Sequence, residues 1–170
     1  MKLVITKGSQ TDLVEVVHAD GARDCSEFPK KGVVPHDAVH WIVEQETGMK
    51  AGFWGTVFGG MKIDAVSALS KAGGHASSKR ATVPDDSIVE LVQAERLVEC
   101  FEADMWSTPS DAAVFREVLA AACSQSHVPA PAVPDQIILS IRQMLSRLRE
   151  EWAHTGVGES VSVGEWSTSS

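Results

Sequence analysis

Two histidines and a glutamate recur at intervals of four residues in the segment 35–44, which reads PHDAVHWIVE. An α-helix turns by about 100° per residue, so a step of four residues drifts by only about 40° and His36, His40 and Glu44 share one face. Imidazole and carboxylate groups one turn apart are how a helix offers two or three ligands to a transition metal. The segment therefore predicts a site for zinc or another divalent metal, with His36, His40 and Glu44 as ligands.

The spacing of His36 and His40 is that of the zinc-protease sequence H-E-x-x-H, but Asp37 stands where the catalytic glutamate would be. Aspartate is one methylene shorter, which places its carboxylate about 1.5 Å further from a metal-bound water. Because general-base catalysis depends on tight hydrogen-bond geometry, this change disfavours proteolysis even if a metal binds. The alternatives to Glu44 as the third ligand are the glutamates that share one face of a later predicted helix, Glu95, Glu99 and Glu102.

The same residues also have a purely structural interpretation. Asp37 in a first helical turn is favoured by the helix dipole and by unpaired backbone N–H groups, and His40 borders the apolar face near Val43. The helix would then be a packing element whose start is fixed against a sheet. We favour this interpretation, because short motifs often match by chance, and expect a non-catalytic or binding domain. A metal-dependent hydrolase is the alternative, and whether the protein is an enzyme is left open.

Composition and charge restrict the class of protein. A chain of 170 residues, 44% hydrophobic and 22% charged, is long enough for one domain with its own core. Its formal charge of −8 is the opposite of what nucleic acid or an anionic membrane surface attracts, so neither is an expected partner. No leader-like or membrane-spanning apolar run is present, and the spacing of Cys25, Cys100 and Cys123 fits neither a disulfide framework nor C-x-x-C. We expect a cytoplasmic protein with its cysteines in the core.

The hydrophobic pattern predicts an α+β fold. Residues 1–28 alternate like antiparallel strands, with Asp20-Gly21 typical of a type I′ turn, and residues 157–167 alternate again. Residues 35–154 have helical periodicity. We expect one domain, 1–170, in which a small antiparallel sheet from both chain ends packs against a layer of about four to five helices. Residues 71–83 are small, polar and basic, and are predicted to form a mobile loop that could act as a lid.

The last predicted helix, from Asp135 to about His154, has a strong apolar face. If that face were exposed in the monomer, it could form the seam of a homodimer. The side chains concerned are Ile141, Leu145, Leu148 and Trp152.

Two short motifs resemble those of a family of small, uncharacterised bacterial proteins. The first is P-H-D-x-x-H-x-x-V-E, here residues 35–44, and the second is G-F-x-G, here residues 52–55. The similarity extends to the strand-D-G-strand opening and to the C-terminal alternation that ends at Trp166. The resemblance implies a bacterial, cytoplasmic origin and one compact domain. No activity is established for that family, so it implies no reaction.

Overall fold

The computed structural model of the chain describes residues 1–73 and 83–166. The loop predicted over residues 71–83 lies outside these ranges, except for its two ends. The tail after Trp166 lies outside them as well.

The sheet has four strands, all antiparallel, in the order β3-β2-β1-β4. Alternation along β1 and β2 buries Leu3 and Ile5 opposite Val16 and Val14, which is the inward-facing half of the pattern. Val161 of the last strand pairs with Ile5, so the two ends of the chain meet at one side of the sheet, where β4 is the edge strand. The strands are β1 (Lys2–Thr6), β2 (Thr11–Val17), β3 (Arg23–Pro29) and β4 (Ser160–Glu165).

The described residues form six α-helices, of which α1, α3 and α6 pack against the sheet, and the predicted α+β class is confirmed. One turn of 3-10 helix, Asp86–Ile88, precedes the fourth of them, and the Asp85 carboxylate caps it. The helices are α1 (His36–Thr47), α2 (Phe53–Phe58), α3 (Ile63–Gly73), α4 (Val89–Trp106), α5 (Ala112–Gln125) and α6 (Asp135–His154).

Helix α1 is the central helix of the fold. It starts after Pro35, which suits this position because a backbone N–H at the start of a helix has no hydrogen-bond partner within the helix. It ends at Gly48, which adopts the left-handed conformation with φ 70°. Every residue from Ala38 to Glu44 is buried, because α1 lies between the sheet, α4 and α6. Polar side chains on this helix must therefore find partners inside the protein.

Two local predictions are wrong. In the turn between β2 and β3, Gly21 has a positive φ of 83° but Asp20 does not, so the turn is not type I′. The hydrogen bond from the His18 N–H to the Ala22 carbonyl closes a longer loop instead. Cys25 is exposed, because it lies on the outward face of β3, whereas Cys100 and Cys123 are in the core as expected.

The apolar face of α6 is not available as a dimer seam. Its residues Ile141, Leu145, Leu148 and Trp152 are all buried within the monomer, contrary to the exposure that the seam requires. They form part of the core that α6 builds with α1 and β4. None of the described helices combines the length and apolar character needed to cross a membrane.

Truncation of Ile141 tests the position of α6. Ile141 is 0% exposed, so Ile141→Ala should lower the free energy of unfolding by about 2–5 kcal/mol, measured by urea denaturation at two protein concentrations. Leu139 lies on the same helix but is 54% exposed, and Leu139→Ala should change stability by about 0.5 kcal/mol or less. If Ile141→Ala had only a mild effect and the midpoint of urea denaturation depended on protein concentration, the apolar face of α6 would again be a candidate dimer interface.

Candidate metal centre

Helices α1 and α4 bring two histidines and a glutamate to one point. The Nε2 atom of His40 lies 3.1 Å from Oε2 of Glu95, and Nε2 of His36 lies 3.7 Å from the same oxygen. Within the described residues, His36, His40 and Glu95 are the group of three whose ligand atoms all lie within 4.8 Å of one another. The two histidines come from one face of α1, as their spacing predicts.

The separations within this cluster suit a metal ion. Ligand atoms held at 2.0–2.2 Å from a tetrahedral ion are about 3.4 Å apart from one another. The two measured distances, 3.1 Å and 3.7 Å, lie on either side of that value. The three ligand atoms lie within 4.8 Å of one another, and binding of one ion would require the side chains to move until all three separations are near the tetrahedral value.

The second nitrogen of each imidazole is held by a carboxylate of its own. The Nδ1–H of His36 donates to Oε1 of Glu102 at 2.8 Å, and the Nδ1–H of His40 donates to Oε1 of Glu44 at 2.9 Å. With Nδ1 engaged in this way, each Nε2 faces Glu95. Histidines that bind metals almost always use their other ring nitrogen in such a bond.

Glu44 therefore lies behind His40 and does not face the cluster. Its carboxylate is completely buried and accepts the backbone N–H groups of Phe53, Trp54 and Gly55 at 3.0, 2.8 and 3.2 Å. These are the unpaired amides of the first turn of α2, so Glu44 caps that helix from a distance. The structure brings Glu95, one of the alternative third ligands, to the position for which the sequence favoured Glu44.

Two glycines of the segment 52–55 make room for this contact. A Cβ atom added to Gly52 would lie 2.5 Å from Oε2 of Glu44, and one added to Gly55 would lie 2.5 Å from the carbonyl oxygen of Met49. Real Cβ atoms do not approach other atoms so closely. Both glycines are required by close packing, and the group packed against Gly52 is the Glu44 carboxylate.

The cluster lines a cleft of about 510 Å³. His36, Asp37, His40 and Glu95 contribute to it from α1 and α4, and Phe53 contributes from α2. Ligand sites for small molecules have volumes of about 300–1,000 Å³. The remaining described lining residues come from β3 and the chain after it (Ser26, Glu27, Phe28, Pro29, Lys31), from α3 (Asp64, Ser67, Ala68, Ser70, Lys71) and from α4 (Leu91).

The Asp37 carboxyl shares this cleft. Burial raises its pKa, although the positive charges of His36 and His40 act in the opposite direction. Among the described residues, no hydrogen bond joins its carboxylate to another side chain. Its backbone carbonyl accepts the indole N–H of Trp54 at 2.8 Å, which ties the start of α1 to α2.

The neighbouring carboxylates, one buried and two half-buried, stabilise the charged forms of the histidines. Burial alone would lower the pKa of His40, but its hydrogen bonds to Glu44 and Glu95 outweigh burial and raise the pKa to about 10. The pKa of His36 is also raised, since Glu102 and Glu95 outweigh burial there. Burial would raise the pKa of Glu95, yet the bonds from His36 and His40 lower it well below its usual range. In the metal-free protein at neutral pH, His40 is therefore a cation and Glu95 is an anion.

Sequence reasoning identified the two histidines but not the full arrangement around them. The spacing of Glu95 and Glu102, seven residues apart, indicated that they share a face of α4. The role of Glu102 as the partner of His36 and the existence of the cleft depend on how α4, α3 and β3 pack around α1.

No protein-family model matches the chain, and no curated protein or solved structure shows significant similarity to it. The geometry of the site is thus the basis for any functional conclusion.

Substitution of Gly52 tests the cap on α2. In Gly52→Ala the new methyl group would displace the Glu44 carboxylate from the amides of Trp54 and Gly55, so we expect a loss of about 1–3 kcal/mol in the free energy of unfolding. Gly59→Ala is the matched control, because Gly59 has a right-handed helical backbone and its added Cβ would come no closer than 3.3 Å to a neighbour. Equal effects of the two substitutions in urea denaturation would contradict this account of Gly52.

The charged network makes the metal-free protein most stable in mildly acidic solution. The pKa of His40 is raised from 6.5 to about 10, so its contribution is complete below pH 6.5 and is lost as the pH rises towards 10. The pKa of Glu95 is lowered from 4.5, so its contribution is present above pH 4.5 and is lost in acid.

We therefore expect the melting temperature, measured by circular dichroism with a chelator present, to be highest near pH 5–6 and to fall between pH 6.5 and 10. His18→Ala, which removes a histidine remote from the cluster, should show the same profile. A melting temperature that stays constant from pH 6.5 to 10 would show that His40 has no charged partners.

Proposed function

We propose that the protein binds one divalent metal ion, Zn²⁺ or a similar ion, through Nε2 of His36, Nε2 of His40 and the carboxylate of Glu95. The observation that carries this proposal is the convergence of both Nε2 atoms on one oxygen of Glu95. Imidazole and carboxylate are suitable ligands for zinc and for several other first-row metals.

The position of the cluster on the cleft supports a role beyond structure. Structural zinc sites are closed by four protein ligands, whereas catalytic sites use three and leave a position open. Here three ligand groups line a cleft of about 510 Å³, which gives a small molecule access to the site. A metal ion bound in this way would polarise a substrate or lower the pKa of a water molecule to about 7.

We infer that the reaction is the metal-dependent hydrolysis of a small substrate. Proteolysis of the H-E-x-x-H kind is a poor fit, since Asp37 replaces the glutamate of that sequence and is one methylene shorter. The cleft offers both apolar contacts, from Phe28, Phe53 and Leu91, and polar groups such as Ser67 and Ser70. A small molecule with both polar and apolar parts suits this lining.

A second candidate function follows from the hydrogen bonds of Glu44. Because His40 joins Glu44 to Glu95, the same side chains could act as a buried polar network that fixes α1 against α4 without any metal. The protein would then be the non-catalytic or binding domain that the sequence favours. In this case the histidines would anchor α1 to α4, through Glu102 and Glu95, and not to the sheet as the sequence interpretation assumed.

Metal content distinguishes the two functions. Untagged protein dialysed against zinc should retain about one ion per chain by plasma mass spectrometry, and titration calorimetry should give saturable binding. His36→Ala/His40→Ala and the milder Glu95→Gln should each lose the ion. The matched control His18→Ala/His154→Ala also removes two histidines, but neither of these lines the cleft, so it should keep the ion.

Retention of zinc by the His36→Ala/His40→Ala variant would exclude the proposed ligands. Absence of binding to the wild-type protein, tested with zinc, manganese, nickel and iron(II), would favour the polar network.

A further inference from the structure

We propose that Glu44 and Glu102 are positioning residues of the metal centre, each selecting Nε2 of one histidine as the ligand atom. The inference rests on the proposed function, since it concerns the same ion. It adds that the choice of nitrogen is made by two carboxylates that do not themselves bind the metal.

Which nitrogen of an imidazole binds a metal depends on which nitrogen carries the proton. Either ring nitrogen can bind a metal, and the one that does so must carry no proton. A neutral imidazole whose Nδ1–H is held by a carboxylate has its lone pair on Nε2. Both histidines are held in this way, His36 by Glu102 at 2.8 Å and His40 by Glu44 at 2.9 Å.

The two rings also restrict each other. Their centroids are 4.8 Å apart and their planes meet at 76°, so the edge of one ring faces the other. A 180° flip of either imidazole about its Cβ–Cγ bond would put Cδ2 in the place of Nδ1 and Cε1 in the place of Nε2, and would break its bond to the carboxylate. It would also turn the ligand nitrogen away from Glu95. One orientation of each ring satisfies all of these contacts together.

The two carboxylates are anchored to different degrees. Glu44 is completely buried and accepts three backbone N–H groups of α2 in addition to the His40 bond. Glu102 is 23% exposed, and among the described residues its hydrogen bond is to His36 alone. The ring of His40 is thus fixed through the main chain of α2, whereas that of His36 depends on one side chain of α4.

This difference decides which residue to substitute. Replacement of Glu44 removes the cap of α2 and can unfold the protein. The role of Glu44 is therefore tested without substitution, by finding which nitrogen of His40 is protonated in the wild-type protein. Within residues 1–73 and 83–166, Glu102 accepts no backbone N–H group, and it can be replaced with little effect on the fold. Glu117, an exposed glutamate on α5 outside the cleft, provides a matched control for the lost charge.

The experiment combines zinc affinity with long-range ¹⁵N–¹H spectra of protein labelled on its histidine nitrogens, which report the protonated nitrogen of each ring. In the zinc-loaded wild-type protein, His36 and His40 should both show a protonated Nδ1 and a metal-bound Nε2. Glu102→Ala should bind zinc about 10–100-fold more weakly and lose the Nδ1–H signal of His36. Its melting temperature without metal should stay close to that of Glu117→Ala, which should bind zinc like the wild type.

Glu102→Gln should restore part of the affinity, because an amide oxygen can still accept the Nδ1–H bond. Zinc bound through Nδ1 of either histidine in the wild-type protein would overturn the proposal, and so would wild-type affinity in Glu102→Ala. Either result would leave metal binding by the side chains of His36, His40 and Glu95 standing, but ligation through Nδ1 would also replace the ligand atoms named in the proposed function. If the wild-type protein binds no metal, the proposed function fails and this inference fails with it.

Discussion

A carboxylate with no access to solvent connects the parts of this structure. Glu44 is completely buried, and a buried charge is strongly unfavourable unless it is hydrogen-bonded and paired. Three amides at the start of α2 and the Nδ1–H of His40 meet both requirements. The contact joins the last turns of α1 to the first turn of α2, and it leaves no room for a side chain at Gly52. It also explains physically why the segments 35–44 and 52–55 would occur together in one protein. The glutamate of the first segment caps the helix that the second segment begins.

The same contact holds one side of the candidate metal centre. His40 is fixed on Glu44 through Nδ1 and presents Nε2 to Glu95, while His36 is held in the same manner by Glu102. Helix α1 supplies both imidazoles and α4 supplies two of the carboxylates, so the centre depends on the packing of these two helices. Loss of His40 would leave the completely buried Glu44 carboxylate without its charged partner, which typically costs about 3–5 kcal/mol. The centre is therefore part of the packing of the core.

Local periodicity was sufficient to predict much of the fold and only half of the site. Alternation along β1 and β2 and the return of β4 follow from the sequence, as does the apolar face of α6, because in each case the pattern is read within one element. The shared helix face of His36, His40 and Glu44 was predicted in the same way, from the pattern within α1 alone. However, a stripe on one helix does not show which helix packs against it, and α4 meets α1 at the histidines while α2 meets it at Glu44. For this reason Glu95 could be named only as an alternative. The apolar face of α6 likewise predicted that another surface must cover this helix, but not which one. Within the monomer, that surface is formed by α1 and β4.

The charge balance of the cluster would be similar with and without a bound metal ion. The cluster consists of the side chains of His36, His40, Glu44, Glu95 and Glu102. When both histidines are protonated, His36 and His40 carry two positive charges beside the carboxyl groups of Glu44, Glu95 and Glu102. A divalent ion that displaces one proton from each histidine brings two positive charges in their place, so the total is unchanged. The surrounding core would then experience nearly the same field in both states, and the fold need not rearrange when an ion binds. Since protons and metal compete for the same Nε2 atoms, the affinity for the ion should rise with pH. The carboxylates that raise the pKa of the histidines also make their nitrogens better metal ligands, so the strong charge pairing of the metal-free cluster is compatible with a metal centre.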